Sequence, residues 1–432
     1  MKKFLALIIA LVMALSLVAC GEQKQPDVTP SGDDGEQTAS IKVGFITLHD
    51  ENSTYDLNFI NAAKEAIANL GLTENDYILK TNIEEGQKCY DTAAELADAG
   101  CNIIFADSFG HESYMIQAAK DFPDVQFCHS TGTRAHTENL PNYHNAFASI
   151  YEGRYLAGIA AGMKLNEMIA NGTEINGTVV TAENAKIGYV GAFTYAEVVS
   201  GYTSFYLGAK SVCPTVTMEV TFTGSWYDET LEKEGAEKLI QRGCKLISQH
   251  ADSLGAPTAC ENAGVPNVSY NGSTQAACPN TYIISSRINW APYYEYAIKA
   301  VMDGTAIDTD WTGTLATNSV VLTDLNTTVA AEGTAEAIAA ATEKLEKGEI
   351  HVFDCSTFTT KADDTMNAFK VDYLKVDADG HITSYMADVD TDQAYTGDTE
   401  VVHDGYFAES EKRSAPYFDL EIDGIKRLDV KM

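Results

Sequence analysis

Basic residues are scarce in this chain: 29 Lys and Arg stand against 62 Asp and Glu, for a formal net charge of −33. No basic patch is available to neutralise phosphates, so a nucleic-acid partner is not expected. The acidity itself reads as a solvated surface. Catalytic signatures are missing too. There is no G-x-S-x-G, no HExxH, no Walker A and no G-x-G-x-x-G after a strand. The nine histidines are scattered, and only His250 beside Asp252 has a catalytic look. The chain is therefore not expected to be an enzyme, and no cofactor is implied. None of the nine cysteines forms a CxxC or stands at zinc-site spacing to a His pair, so no metal site is expected. Beyond the first 20 residues no apolar run is long enough to cross a bilayer, which excludes a permease.

What is present begins with one apolar run. Lys2 and Lys3 precede Phe4 to Ala19, apolar apart from Ser16, and the run ends at Leu17-Val18-Ala19-Cys20-Gly21. A basic start, an apolar stretch of about 16 residues and a small-residue exit make a secretory signal over residues 1–19. The exit resembles a bacterial lipobox, which implies cleavage before Cys20 and a lipid on its thiol. Acyl chains so placed hold a protein on a membrane. Residues 20–40 hold two prolines and three glycines among polar groups, with no hydrophobic period, and read as a flexible tether.

From Ile41 onward the pattern changes. About 390 residues is too long for one ordinary core and suggests two domains. Short strand patterns (Ile41–Thr47, Tyr77–Leu79, Cys101–Ala106, Val125–Phe127) alternate with helical spacing over Leu57–Leu70, Tyr90–Ala99 and Glu112–Phe122. After a long helix, Tyr151–Ile169, the rhythm restarts at Lys186–Gly191, whose pattern echoes Lys42–Phe45. It continues through helices at Val198–Val212, Thr230–Arg242 and Ala256–Ala263. The strands between and after them are Thr217–Phe222, Lys245–Ser248, Asn267–Tyr270 and Tyr282–Ser285. Strands alternating with helices mean parallel β-α-β units. The expected fold is α/β, with two Rossmann-like lobes of parallel sheet around a hinged cleft. The first lobe is expected over 41–148 plus about 286–322, and the second over 149–285 plus about 323–360. Residues 361–432 are expected to form an acidic, β-rich extension, with a strand, a DG turn and a strand at Tyr373–Ile382. Asp388, Asp390 and Asp392 match part of a calcium loop, but the Gly and closing Glu are misplaced. Cys101 and Cys244 each open an apolar strand, so the eight remaining cysteines read as buried thiols. Cys260 with Cys278 is the pair to test first for a bridge.

Ligands of such folds bind outside the carboxyl ends of the strands. The post-strand loops hold Asp107-Ser108-Phe109, Ser225-Trp226-Tyr227-Asp228, His250-Ala251-Asp252-Ser253 and Asn271-Gly272-Ser273. They are rich in aromatics, carboxylates and amides and poor in cations. Such a cleft suits a neutral, planar, polar ligand.

Tyr151-Glu152-Gly153-Arg154-Tyr155-Leu156-Ala157-Gly158 resembles the YEGRYLAG-type helix of the BMP (basic membrane protein, PnrA-like) family. Ile104–Gly110, Pro123–Phe127, Ser225–Asp228, Gln249–Ser253 and Asn289–Tyr294 are similar to further segments of it, in order, over about residues 41–355. The resemblance implies the type I periplasmic-binding-protein fold and a substrate-binding lipoprotein of an ABC importer. The implied partners are a purine nucleobase or nucleoside, an ABC permease, and the membrane through the lipid on Cys20. It also implies ligand contacts: Phe59 and Trp226 as stacking residues, Phe109 as the next stacking candidate, and Asn61, Asp107, Ser108, Asp228, Asp252 and Asn271 as polar contacts. Glu152 and Arg154 read as charged partners of each other near the crossover. The first loop, His49–Tyr55, lacks the steps found in both the base and the nucleoside branches. A sensing receptor for a membrane partner, or a binder of another polar solute such as a sugar, uses the same fold and cleft.

Overall fold

The computed structural model describes residues 41–361, 372–389 and 399–432. The expected signal, the tether, Cys20, Asp390 and Asp392 lie outside the described residues.

Two sheets carry the structure. The first runs, edge to edge, Asp310–Gly313, Tyr143–Ala148, Gln126–Ser130, Ile103–Ala106, Val43–Ile46 and Tyr77–Lys80. Every pairing in it is parallel. The second runs Val320–Leu322, Tyr282–Ile288, Asn267–Tyr270, Leu246–His250, Lys186–Gly191, Thr217–Phe222 and Ile425–Arg427. Only its Val320–Leu322 strand is antiparallel. In both sheets the first strand of the lobe lies between the second and third. That is the doubly wound order, with its switch point beside the first strand. The echo between Lys42–Phe45 and Lys186–Gly191 is thus a structural one.

Local signals set the helix starts. Ser53 caps the Thr54–Asn69 helix by accepting from the Asp56 amide at 3.2 Å, so this helix begins a turn before its apolar spacing does. The long crossover helix, Ile150–Asn171, lies against Ala196–Val212 in the second lobe. A methyl group at Gly158 would overlap the Phe205 carbonyl, and one at Gly208 would overlap the Tyr155 carbonyl. These glycines let the two helix backbones touch, which accounts for the small residues of the Tyr151–Gly162 motif.

The chain passes between lobes after Ala148, after Ile288 and again between Gly313 and Val320. The expected boundaries at about 286 and 322 therefore move to about 289 and 319. The strand expected over Tyr282–Ser285 runs on through Ser286 and Arg287 to Ile288. In the fold both serines are fully buried inside the second sheet, bonded into its ladder. The tail also differs from a separate extension. Its hairpin, Leu374–Val376 with Ile382–Ala387, turns at Gly380 (φ +94°). Tyr385, Phe407, Phe418, Leu420 and Ile422 join the core of the second lobe, and Ile425–Arg427 adds a parallel strand to its sheet. All eight described cysteines are buried and unbridged.

Candidate functional site

The carboxyl ends of the two sheets face each other across a closed cleft. The first turn of the Thr54–Asn69 helix reaches over to the second lobe. The Thr54 amide and hydroxyl both donate to the Asp252 carbonyl, at 3.0 and 3.2 Å, and Asn58 Nδ2 donates to the Asn271 carbonyl at 2.8 Å. Phe109 of the first lobe stacks on Tyr195 of the second, ring centres 5.0 Å apart, and Tyr195 stacks in turn on Phe193.

Beneath these contacts lies a small cavity of about 20 Å³. The first lobe lines it with Leu48, Tyr55, Asp56, Ser108, Phe109 and Thr131. The second contributes Glu197, Trp226, His250 and Asp252. No Lys or Arg is among them. A larger chamber of about 590 Å³ adjoins it and shares Phe109, Thr131 and Glu197, and Arg413, Pro416 and Asp419 of the tail also line it.

Carboxyl groups dominate the electrostatics, and their surroundings divide them. Burial alone would push Asp56 up, but hydrogen bonds from His49 and Ser53 outweigh it and hold Asp56 below the ordinary carboxylate range. Asp107 sits just behind the lining. Its burial, together with the nearby charge of Asp56, raises it well above that range. One of its oxygens accepts from the Leu48 amide at 3.1 Å; the other has no partner among the described residues. Asp252 is raised well above the range as well, by burial and then by the charges of Asp56, Glu232 and Glu197. Burial and neighbouring charge thus favour the protonated, donating form of Asp107 and Asp252, whereas Asp56 is favoured as an acceptor. Such a cavity suits a neutral ligand with both N–H donors and bare ring nitrogens or carbonyls. An anion would meet only acids there.

Of the residues singled out from the sequence, Ser108, Phe109, Trp226 and Asp252 line this cavity. Ser108 is already engaged, donating to Glu85 at 2.6 Å. Trp226 meets Phe193 edge-on at 5.1 Å. Asn271 stands behind Asp252 and donates to its carboxyl at 3.3 Å. Three residues take other places. Phe59 is 1% exposed in the first-lobe core, stacked on Trp290 at 4.6 Å, one helical turn too deep to reach the cleft. Asn61 faces outward on the same helix. Asp228 is the N-cap of the Glu229–Gln241 helix, accepting from the Leu231 amide at 2.9 Å. Tyr55, Glu197 and Thr131 also line the cavity, and sequence reasoning missed them. Tyr55 and Glu197 stand in the first turns of helices, a position the post-strand rule passes over. Thr131 adopts φ +70°, rare for a β-branched residue, with its buried hydroxyl unpartnered among the described residues. Only its place just after the Gln126–Ser130 strand could have marked it.

No helix among the described residues is long and apolar enough to cross a membrane, and no group of His, Cys, Asp and Glu there could hold a metal ion. A purine-binding protein of Brucella abortus is 34% identical over 268 residues, covering 61% of this chain and 70% of that one. TsgA13 of Haloferax volcanii, named for glucose binding, is 32% identical and covers 62% of this chain and 63% of that one. Among solved structures, a solute-binding protein of an ABC transporter system from Aeropyrum pernix superposes with a TM-score of 0.61 at 18% identity. That match covers 77% of this chain and 96% of the other, a likeness of fold. Residues 44–354 match the Bmp family, described as ABC transporter substrate-binding protein PnrA-like, and the chain belongs to that family.

Proposed function

We propose that this chain captures a purine, with the base held between the lobes where these residues meet, and delivers it to an ABC permease. The observation that carries this reading is the lining: Trp226 and Phe109 beside Asp252, favoured in its protonated form, and Asp56, favoured as an acceptor, with no cation. Aromatic faces stack on a planar ring, and the carboxyls offer donors and acceptors to its edge. A pentose attached to that base would extend past Phe109 into the adjoining chamber. The purine-binding relative from Brucella abortus supports the same ligand class. Binding favours lobe closure and performs no chemistry.

The same reading anchors the chain through a lipid on Cys20, outside the cytoplasm and near its permease. Cys20→Ser should move the protein from the membrane fraction to the soluble fraction; retention in the membrane would rule out the anchor. Calorimetry with adenine, guanine, hypoxanthine, their nucleosides and glucose tests the ligand. Trp226→Ala should weaken purine binding roughly 5- to 150-fold, the loss of one base stack. Binding of glucose alone, or unchanged purine affinity in Trp226→Ala, would overturn the assignment. TsgA13 makes glucose the necessary control.

A further inference from the structure

Arg154 is fully buried in the second lobe, and no carboxylate is paired with it among the described residues. Its expected partner Glu152 bonds instead to Ser149, accepting from the hydroxyl at 2.6 Å. The guanidinium donates to Tyr189 Oη at 2.7 Å, to Ser248 Oγ at 3.2 Å and to the Ser269 carbonyl at 3.4 Å, and its Nε has no partner. Three rings surround it: Tyr270 at 4.7 Å, Phe205 at 5.1 Å and Tyr189 at 5.4 Å. A buried cation held only by neutral groups is costly, and rings and hydroxyls offset part of that cost.

The position of the cation suggests its use. The far face of the cage is the Tyr270 ring, which lies 4.5 Å from the His250 ring of the cavity lining. The two spacings, 4.7 and 4.5 Å, put the guanidinium at most about 9 Å from the imidazole. On its cavity side, His250 Nε2 is 3.4 Å from Glu197 Oε1. On the other, Nδ1 has no partner and faces Gly201, where an added Cβ would lie 3.0 Å away. A second proton on Nδ1 would be buried without an acceptor, in the field of a cation. The groups around the imidazole are Glu197 and Gly201 on the Ala196–Val212 helix, Tyr270 and Tyr189 on the flanking strands, and Arg154 on the crossover helix. Only Glu197 favours protonation.

We propose that Arg154 is a positioning residue for the ligand cavity. Its charge, acting through the Tyr270 ring, adds to the burial of the imidazole in keeping His250 neutral with the proton on Nε2. His250 then donates to Glu197 and holds that carboxylate at the junction of the two chambers as an acceptor for a ligand N–H. The ligand part of this inference rests on the purine reading; the state of His250 does not.

The test follows His250 by ¹⁵N NMR, with its signals assigned by their loss in His250→Gln, and follows purine affinity by calorimetry from pH 5 to 8.5. In the wild type, His250 should be the neutral Nε2–H tautomer at pH 6. Arg154→Met should raise its titration midpoint by about one unit. Below that midpoint, purine affinity should fall about tenfold, and above it affinity should match the wild type. Arg154→Lys should restore most of both. An Nδ1–H tautomer in the wild type, an unmoved midpoint in Arg154→Met, or an affinity loss independent of pH would overturn the proposal. The tautomer measurement needs no Arg154 variant, so it decides even where Arg154→Met fails to fold. A shifted midpoint in a protein that binds no purine would refute the purine reading and leave the role of Arg154 in His250 standing.

Discussion

Asn58→Ala isolates the contribution of one hydrogen bond to closure. Asn58 Nδ2 reaches across the mouth of the cleft to the Asn271 carbonyl at 2.8 Å, and the bond is partly buried. A neutral bond of this kind contributes about 0.5–1.5 kcal/mol net. Its donor and acceptor belong to different lobes, so an open molecule cannot make it. The whole loss therefore falls on the closed form. At 1.4 kcal/mol per factor of ten, purine affinity should fall about 2- to 12-fold. The fall should come mainly from faster release, because the bond forms after encounter. Stopped-flow fluorescence can follow this, since Trp226 lines the cavity. Thermal unfolding supplies the control: the unliganded midpoint should be unchanged, while the rise on adding ligand should shrink with the logarithm of the affinity. An unchanged release rate, or an equal drop in melting temperature with and without ligand, would refute the reasoning.

Three further outcomes follow from other parts of the molecule. Gly208→Ala should destabilise the fold by about 1–3 kcal/mol or more, read by urea unfolding, because the new methyl overlaps the Tyr155 carbonyl and two helices must separate. Asp228→Ala should cost about 1 kcal/mol of stability as a lost N-cap and leave purine affinity within twofold, which separates capping from ligand contact. Glu409 is buried and accepts from the Tyr417 and Phe418 amides, and burial pushes its carboxyl up to about 8 from an ordinary 4.5. A raised carboxyl contributes stability below about 4.5 that is lost as pH rises through about 8. Glu409→Gln should therefore gain on the wild type between pH 5 and 9, by up to a few kcal/mol in urea titrations.

Much of the fold could be read from the chain because each parallel strand is a short apolar run bounded by turn residues, and each helix shows its buried face. The cleft was legible for the same reason: strand ends locate it, and Ser108, Phe109, Trp226 and Asp252 follow strand ends directly. The misplaced residues share a cause. Phe59 and Asn61 were assigned by their motif, but only the first turn of a helix reaches a ligand at strand carboxyl ends. Tyr55 and Asp56 hold those places, and Phe59 lies a turn deeper against Trp290. Asp228 looked like a ligand contact because caps and contacts use the same residue types at the same loop ends. Arg154 was visible as a charge in a helix, but its cage comes from three separate segments that no local pattern connects.

The Ile425–Arg427 strand has a consequence for how the molecule is made. It pairs with Thr217–Phe222, about 200 residues earlier, and covers what would otherwise be an open edge of parallel sheet. A chain emerging N-terminus first can complete the sheet of its first lobe well before that of its second. Until the last strand arrives, the amides and carbonyls of Thr217–Phe222 are free to pair with another copy. The late strand is thus an internal guard on assembly, and a chain cut short of it should be lost to self-association before any question of ligand arises.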